Sequence, residues 1–349
     1  MHIEELNEQT QEPTPVPQPE IQASDGEIWK HKHLNLEKIH TAASKVRHEI
    51  AKVIVGQHDL LDLLLAAIFS GGHVLVEGVP GIAKTLVSKL LAQTLDVDFS
   101  RIQFTPDLMP SDVVGTTVFN MHNSAFSFNP GPVFSNIILI DEINRAPAKT
   151  QAALFEVMEE YQVTVDGKTH AMGFPFFVMA TQNPIEQEGT YKLPEAQLDR
   201  FLVKINLVYP GLEEEKQILR RFQSDFKINQ RYDVKAVLSS DDIRACQSLV
   251  EQIHIREELL DYIAAIVHST RDHADLFLGA SPRASLAMMK MSKAIAAMNG
   301  RDFVTPDDIR YVSFPVLNHR IILTPEREME GYQVKEVVDS IVEKIEVPR

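Results

Sequence analysis

Three stretches of the chain carry residue types and spacings that could manage a polyphosphate. The first, Gly78-Val79-Pro80-Gly81-Ile82-Ala83-Lys84-Thr85, follows the apolar run His73-Val74-Leu75-Val76 and leads into helical spacing from Leu86 to Leu95. A glycine-rich turn between a strand and a helix start aims backbone N–H groups and the positive helix end at an anion. Lys84 would then reach the β- and γ-phosphates, and Thr85 would ligate Mg2+. Ala83 stands where a glycine normally precedes the lysine. Alanine tolerates helical dihedrals there, while Gly78 and Gly81 keep the freedom for close approach.

The second stretch, Ile137-Ile138-Leu139-Ile140-Asp141-Glu142, reads as a buried strand ending in two acids. Such an ending places both carboxylates at the carboxyl edge of a sheet, where open α/β folds bind ligands. Asp141 can hold Mg2+ through water, and Glu142 can polarise an attacking water. Taken singly, either motif could be an ordinary turn; with the phosphate loop expected on a neighbouring strand, the pair points to nucleotide hydrolysis. The third stretch, Phe177-Val178-Met179-Ala180-Thr181-Gln182-Asn183, is another apolar strand with a polar end. Asn183 would emerge beside the γ-phosphate and orient the water with Glu142, the alternative being a turn-forming Asn before Pro184.

Two arginines complete the set. Arg200 lies shortly before the last strand of the series, and Arg283 sits in the first turn of a helix that opens at Ser281-Pro282. The helix dipole disfavours an arginine there, so another interaction must hold it. Phosphoryl transfer spreads negative charge over the γ-oxygens, which arginines supplied from elsewhere stabilise. A structural ion pair is the competing explanation for each.

These residues need a scaffold, and the patterning supplies one. Between Leu34 and about residue 210, helical spacing alternates with strand candidates at 73–76, 101–104, 136–140, 174–180 and 203–207. That alternation implies crossover units and a parallel sheet covered on both faces, an α/β domain with a five-stranded core. Two hairpins interrupt it. One is built around Val118-Phe119 and Phe126-Ser127-Phe128 (near 116–130), the other around Gln162 to Val165 and Asp166-Gly167 (near 162–170), where Asp-Gly suits a tight turn. From residue 211 to the C-terminus the spacing is helical throughout, predicting a smaller all-helical domain.

Residues 1–33 read as a disordered tail, with Pro13, Pro15, Pro17 and Pro19 among polar residues. Seven acidic residues precede the first basic one, Lys30, and leave −8 of the formal net charge of −15 to the rest of the chain. An acidic body with no basic stripe argues against nucleic acid as the main partner. No apolar run is long enough to span a membrane, and the acidic start does not resemble a secretory signal. The single cysteine, Cys246, excludes an internal disulfide and fits a reducing, cytoplasmic setting. The histidines show no metal spacing, and Met288, Met289, Met291 and Met298 read as core filling.

On these motifs the chain resembles the AAA+ ATPases, and among them the MoxR family. Glu77 to Thr85 is similar to that family's Walker A loop, whose usual form has the same alanine before the lysine. Asp141-Glu142-Ile143-Asn144-Arg145-Ala146-Pro147 resembles its extended Walker B, and Ala180-Thr181-Gln182-Asn183-Pro184 its sensor 1. Leu193 to Phe201 resembles the segment that ends in the family's proposed arginine finger, and Ser281-Pro282-Arg283 its sensor 2. Val55-Gly56-Gln57 resembles the adenine-contacting segment. The resemblance thus implies an ATP and Mg2+ site formed by Val55, Gly56, Gln57, Gly78, Val79, Pro80, Gly81, Ile82, Ala83, Lys84, Thr85, Leu86 and Arg283. Thr85 and Asp141 would serve the metal, and Glu142, Lys84, Asn183, Arg200 and Arg283 the catalysis.

The resemblance also implies a P-loop AAA+ sheet domain followed by a helical lid, with hairpins matching the helix-2 insert and the hairpin before sensor 1. Family members form hexameric rings with chaperone-like roles, often on protein clients that carry von Willebrand factor A domains. On this reading Arg200 reaches a neighbouring subunit's site, Arg145 being the reserve candidate, and Arg283 could act in its own or a neighbour's site. Hydrolysis would alter the lid angle and the subunit interface, moving the hairpins against a client. The rival expectations are a nucleic-acid-stimulated motor and a nucleotide-gated scaffold with slow turnover.

Overall fold

A computed structural model describes residues 34–78, 84–122, 124–183, 190–223 and 233–348. The tail to residue 33, Val79 to Ala83 of the glycine-rich turn, and Pro184 lie outside the described residues. Nine strands belong to the described part of the sheet domain: β1 (Val74–Glu77), β2 (Phe99–Gln103), β3 (Gly115–Asn120), β4 (Ala125–Pro130), β5 (Ile137–Asp141), β6 (Gln162–Val165), β7 (Lys168–Ala171), β8 (Phe177–Gln182) and β9 (Val203–Asn206). Five of them form one sheet in the order β2-β5-β8-β1-β9, every pairing parallel.

Because side chains alternate across a strand, each strand feeds two cores. Val74 and Val76, Ile137 and Leu139, Phe177 and Met179, and Val203 and Ile205 face one side. Leu75, Ile138, Ile140, Val178 and Ala180 face the other. The first side is covered by α1 (Glu37–Ala51), α2 (His58–Phe69) and α3 (Lys84–Thr94), through Ile39, Leu64 and Leu90 among others. The second side packs against α4 (Pro110–Val114) and α5 (Ala148–Glu160), through Val113, Leu154, Phe155 and Met158. Each such side chain, fully buried, contributes about 1.5–3 kcal/mol of transfer free energy.

The remaining sheet-domain strands are antiparallel pairs. β3 pairs with β4 and β6 with β7, the latter through Asp166 and Gly167, both at positive φ. The two hairpins touch: the Phe128 and His170 rings stack with centroids 4.1 Å apart, and Phe134 meets both edge-on.

After α6 (Glu195–Leu198) and β9, helices dominate: α7 (Leu212–Phe222), α8 (Ser240–Glu251), α9 (Glu257–Ser269), α10 (Pro282–Met298), α11 (Pro306–Leu317), α12 (Pro325–Met329) and α13 (Val334–Lys344). Ser281 caps α10, its hydroxyl accepting from the Arg283 N–H, with Pro282 in the first turn. The helix-only expectation for this region misses one short antiparallel ribbon, β10 (Leu276–Leu278) with β11 (Ile322–Leu323). Two- and three-residue strands are too short to leave a period in the sequence. The helices do not form a separate core. Ile243, Leu259, Met288, Met291, Ile309 and Val338 join the same apolar cluster as the first face of the sheet. Cys246 is fully buried in it, and burial pushes its thiol up to about 11. Among the described residues no helix is long and apolar enough to cross a membrane.

Candidate active site

The carboxyl edge of the sheet gathers the acids and the lysine. Glu77, last in β1, accepts from Gln182 Nε2 and from Lys204 Nζ, each at 2.7 Å. Both partners come from the flanking strands, so the strand end is fixed just before the turn. Gly78 then passes so close to Leu207 that a Cβ would lie 2.8 Å from the Leu207 Cβ, and only glycine fits. Lys84 opens α3, and its Nζ donates to the Gly78 carbonyl at 2.7 Å. Burial lowers its pKa, while the nearby carboxylates of Asp141, Glu142 and Glu77 push it back up. Thr85 and Leu86, both half-buried, follow in the first turn of the same helix.

The sequence-based expectation of neighbouring strands needs one correction: β8 lies between β1 and β5. The order of strands in a parallel sheet depends on crossovers that local patterning does not encode. The intervening strand brings Thr181 and the buried Asn183 to the same edge. Thr181 Oγ1 accepts from the Glu142 N–H at 3.1 Å and donates to Asp141 Oδ1 at 3.3 Å, tying β8 to both acids. Asp141 is buried, and its Oδ2 also accepts from Arg101 Nε at 2.6 Å. Glu142 adopts a left-handed conformation (φ 56°), a strain that persists only where surroundings impose it and that turns its side chain off the strand end. Its Oε2 accepts from Gln103 Nε2 at 2.8 Å and pairs with Arg145 Nε at 3.2 Å.

Val55, Gly56 and Gln57 are half-buried at the entrance to α2, with Gly56 and Gln57 both at positive φ. Gly56 and Gln57 line a small cleft with Ile54 and with Val87 of α3, which brings this segment to the helix carrying Lys84. The Gln57 Oε1 atom is buried without a hydrogen-bond partner, an unmet polar demand of the kind a ligand N–H satisfies. Glu214 of α7 packs over Gly56, and Arg221 donates to the Val53 carbonyl at 2.7 Å, so α7 rests on this segment.

Arg200 and Arg283 sit elsewhere. Arg200 precedes β9, whose first residue pairs with the first residue of β1, so it lies off the amino edge of the sheet. The path along β1 to Gly78 is about 13 Å at ~3.3 Å per residue. Arg200 Nη1 lies 2.9 Å from Glu159 Oε2 and donates to the Phe155 carbonyl at 3.0 Å. Arg283 Nη2 donates to Glu159 Oε1 at 2.9 Å. The two arginines therefore share one carboxylate near the end of α5, which supplies the partner that Arg283 needs in its unfavourable helix turn. Arg145, by contrast, stays beside Glu142 on the carboxyl edge.

Thr181, Gln103, Arg101 and Glu159 had no signal of their own in the sequence. Gln103 and Arg101 gain meaning only from the register that pairs Gln103 with Asp141, and Glu159 only from the fold that brings α5, the β9 approach and α10 together.

A parallel sheet carrying an ammonium group, an acidic strand end and a polar neighbouring strand end on one edge, followed by a helical lid, defines a P-loop nucleotide-binding protein. Residues 73–203 match the family described as ATPase family associated with various cellular activities (AAA), and residues 268–345 match the AAA lid domain. The chain is 46% identical over 312 residues to the uncharacterized protein YeaC of Bacillus subtilis, covering 89% of this chain and 97% of that one. It is 41% identical over 321 residues to Chaperone MoxR1 of Mycobacterium tuberculosis, covering 89% and 84%. A crystal structure of a provisionally assigned ATPase from Cytophaga hutchinsonii superposes with a TM-score of 0.82 at 45% identity, covering 90% of this chain and 98% of that one. The chain belongs to the MoxR family of AAA+ ATPases.

Proposed function

We propose that this chain is a cytoplasmic, Mg2+-dependent ATPase that works in a homo-oligomeric ring, a hexamer, and remodels or matures protein clients. The observation that carries the reading is that Lys84, held to the Gly78 carbonyl just past β1, shares the carboxyl edge of one parallel sheet with Asp141 and Glu142 at the end of β5. The donor set suits a Mg2+–nucleotide: a lysine at a helix start, a hydroxyl beside it and a buried carboxylate, with Gly78 too close to Leu207 to carry a Cβ. Thr85 and Asp141 would hold the metal, which when bound supplies neutralisation of the phosphate charge. Val55, Gly56, Gln57 and Leu86, with the glycine-rich turn, would hold the nucleotide.

In this reading Lys84 exchanges its hydrogen bond to Gly78 for phosphate oxygens. Glu142 accepts the proton of the attacking water, and Asn183 orients that water. Arg200 lies off the amino edge of the sheet, the length of β1 from Gly78, and Arg283 joins it at Glu159, which favours action of both on a neighbouring subunit's nucleotide. Arg145 lies beside Glu142 on the carboxyl edge of its own subunit's site, which favours Arg200 over it as the finger.

The client role is supported by the relative named as a chaperone and by the apolar tip of the β3–β4 hairpin. There Phe126 is 73% and Met121 87% exposed, beside Phe119. A tip of this kind suits a partly unfolded or hydrophobic protein segment, and proteins bearing von Willebrand factor A domains are the partner class proposed.

The test is a pair of substitutions read by nucleotide binding and by phosphate release. Lys84→Ala should lose nucleotide binding, whereas Glu142→Gln should bind nucleotide and fail to hydrolyse it. Wild-type hydrolysis by both proteins would refute the assignment.

A further inference from the structure

Arg320, in the lid, is 7% exposed and carries an unusual load. Its Nε donates to Asp199 Oδ1 at 2.7 Å, and its Nη2 donates to the Asp199 and Phe201 carbonyls at 3.3 and 2.6 Å. Its Nη1 donates to the Leu202 carbonyl at 3.1 Å and to Val316 of α11 at 2.6 Å. A guanidinium has five N–H groups, and here each has an acceptor, four of them in the segment 199–202. Two adjacent residues add to the grip. His319 Nε2 bonds the Phe201 carbonyl at 3.1 Å, and Asn318 Nδ2 donates to the Lys204 carbonyl at 3.0 Å.

The segment gripped is the one that carries Arg200, held on both sides of that residue. The same Asp199 carboxylate reaches the other arginine's helix, because Ser281 Oγ, the cap of α10, donates to Asp199 Oδ2 at 2.7 Å. Arg283 follows two residues later and meets Arg200 again at Glu159. Burying an ion pair gains little net stability over well-packed apolar residues, whereas its directional bonds fix geometry. A flexible aliphatic chain could fill the space; it could not hold the Asp199, Phe201 and Leu202 carbonyls.

We propose that the buried Arg320–Asp199 pair is a positioning element for Arg200 and Arg283, fixing the backbone around the first and, through Ser281, the helix start that carries the second, so that both reach a neighbouring subunit's phosphates as one unit. The proposal rests on the reading above that the two arginines act across a subunit boundary.

The experiment uses the full-length chain and mixed subunits. Arg320→Lys keeps the charge and loses the planar fork. Its nucleotide affinity should stay within about twofold of wild type while kcat falls about tenfold or more, since the arginines it positions would act on the charge that develops in the transition state. Adding Lys84→Ala subunits, which cannot hydrolyse but carry intact arginines, should restore turnover at the Arg320→Lys sites. Arg200→Ala mixed with Lys84→Ala is the control. If the control recovers while Arg320→Lys either keeps wild-type kcat or loses turnover that intact subunits do not restore, the positioning role is wrong. If the control itself fails to recover, the cross-subunit reading falls, and this proposal with it. Should Arg320→Lys not fold, Ser281→Ala removes the bond to Asp199 together with the α10 cap on the Arg283 N–H, and leaves Arg320 in place. It should show a smaller kcat loss with the same recovery, and an unchanged kcat would overturn the proposal.

Discussion

Arg101 Nε lies 2.6 Å from Asp141 Oδ2, so the carboxylate assigned to the metal already carries a guanidinium. Arg101 is half-exposed and Asp141 is buried, which leaves the arginine as the partner that can move away. On the proposed function Mg2+ would compete with it. Arg101→Ala should therefore lower the Mg2+ concentration that half-saturates hydrolysis by about fivefold, the equivalent of ~1 kcal/mol for a partly exposed pair. A Mg2+ titration of phosphate release at fixed ATP measures this, and an unchanged or raised midpoint would show that the contact does not oppose the metal.

Thr181 joins Asp141 and the Glu142 N–H through one hydroxyl. Thr181→Val keeps the shape and removes the join, leaving the backbone of a left-handed residue without its acceptor. The expected result is a kcat loss of about tenfold or more, with nucleotide affinity little changed and stability lowered by about 1–3 kcal/mol. Single-turnover hydrolysis beside urea unfolding separates the two effects.

His73, just before β1, is fully buried. Its Nδ1 accepts from the Val178 N–H at 3.1 Å, which makes Nε2 the donor to the Met158 carbonyl at 3.1 Å. Burial holds the ring's pKa down to about 4, against an unfolded value near 6.5. A depressed histidine favours the native state fully above the unfolded value, and that contribution is lost as pH falls from there toward the folded one. The difference amounts to about 3 kcal/mol. Unfolding free energy should decline with acidification from pH ~6.5 to ~4, and His73→Gln should flatten that slope even if it is less stable at neutral pH.

Phe128 and His170 lock the two inserted hairpins together, and such a stack contributes about 0.5–1.5 kcal/mol beyond its buried area. Phe128→Ala should weaken client-dependent work while leaving client-free ATP turnover within about twofold, because the site's residues lie outside the hairpins. Phe126→Ser, at the exposed tip, should lower client affinity with the hairpins still docked. Loss of client-free turnover in either variant would place the hairpins inside the hydrolytic machinery.

Much of this architecture is legible in the sequence. The glycine-rich turn, the acidic strand end and Asn183 each sit at a strand terminus, where a short apolar run meets polar residues and the change of pattern is itself the signal. Most sheet strands show as short apolar runs, and most of the later helices carry a helical period. Strand order was not legible, which is why β8 was not expected between β1 and β5. Nor were the groups that hold the catalytic candidates. Glu159, Asp199 and Arg320 are ordinary charged residues in the sequence, distant from one another, and only tertiary packing makes them partners.

The interior that runs unbroken from beneath the sheet into α8, α9, α10 and α11 has a mechanical consequence. Swinging the lid outward as a separate flap would pull leucine, isoleucine and methionine side chains into water at about 25 cal/mol for each Å2 exposed. That cost falls on every degree of rotation. In the proposed ring a protomer so constructed would behave as a stiff lever, and the give needed for each stroke would lie at the seams where one lever bears on the next.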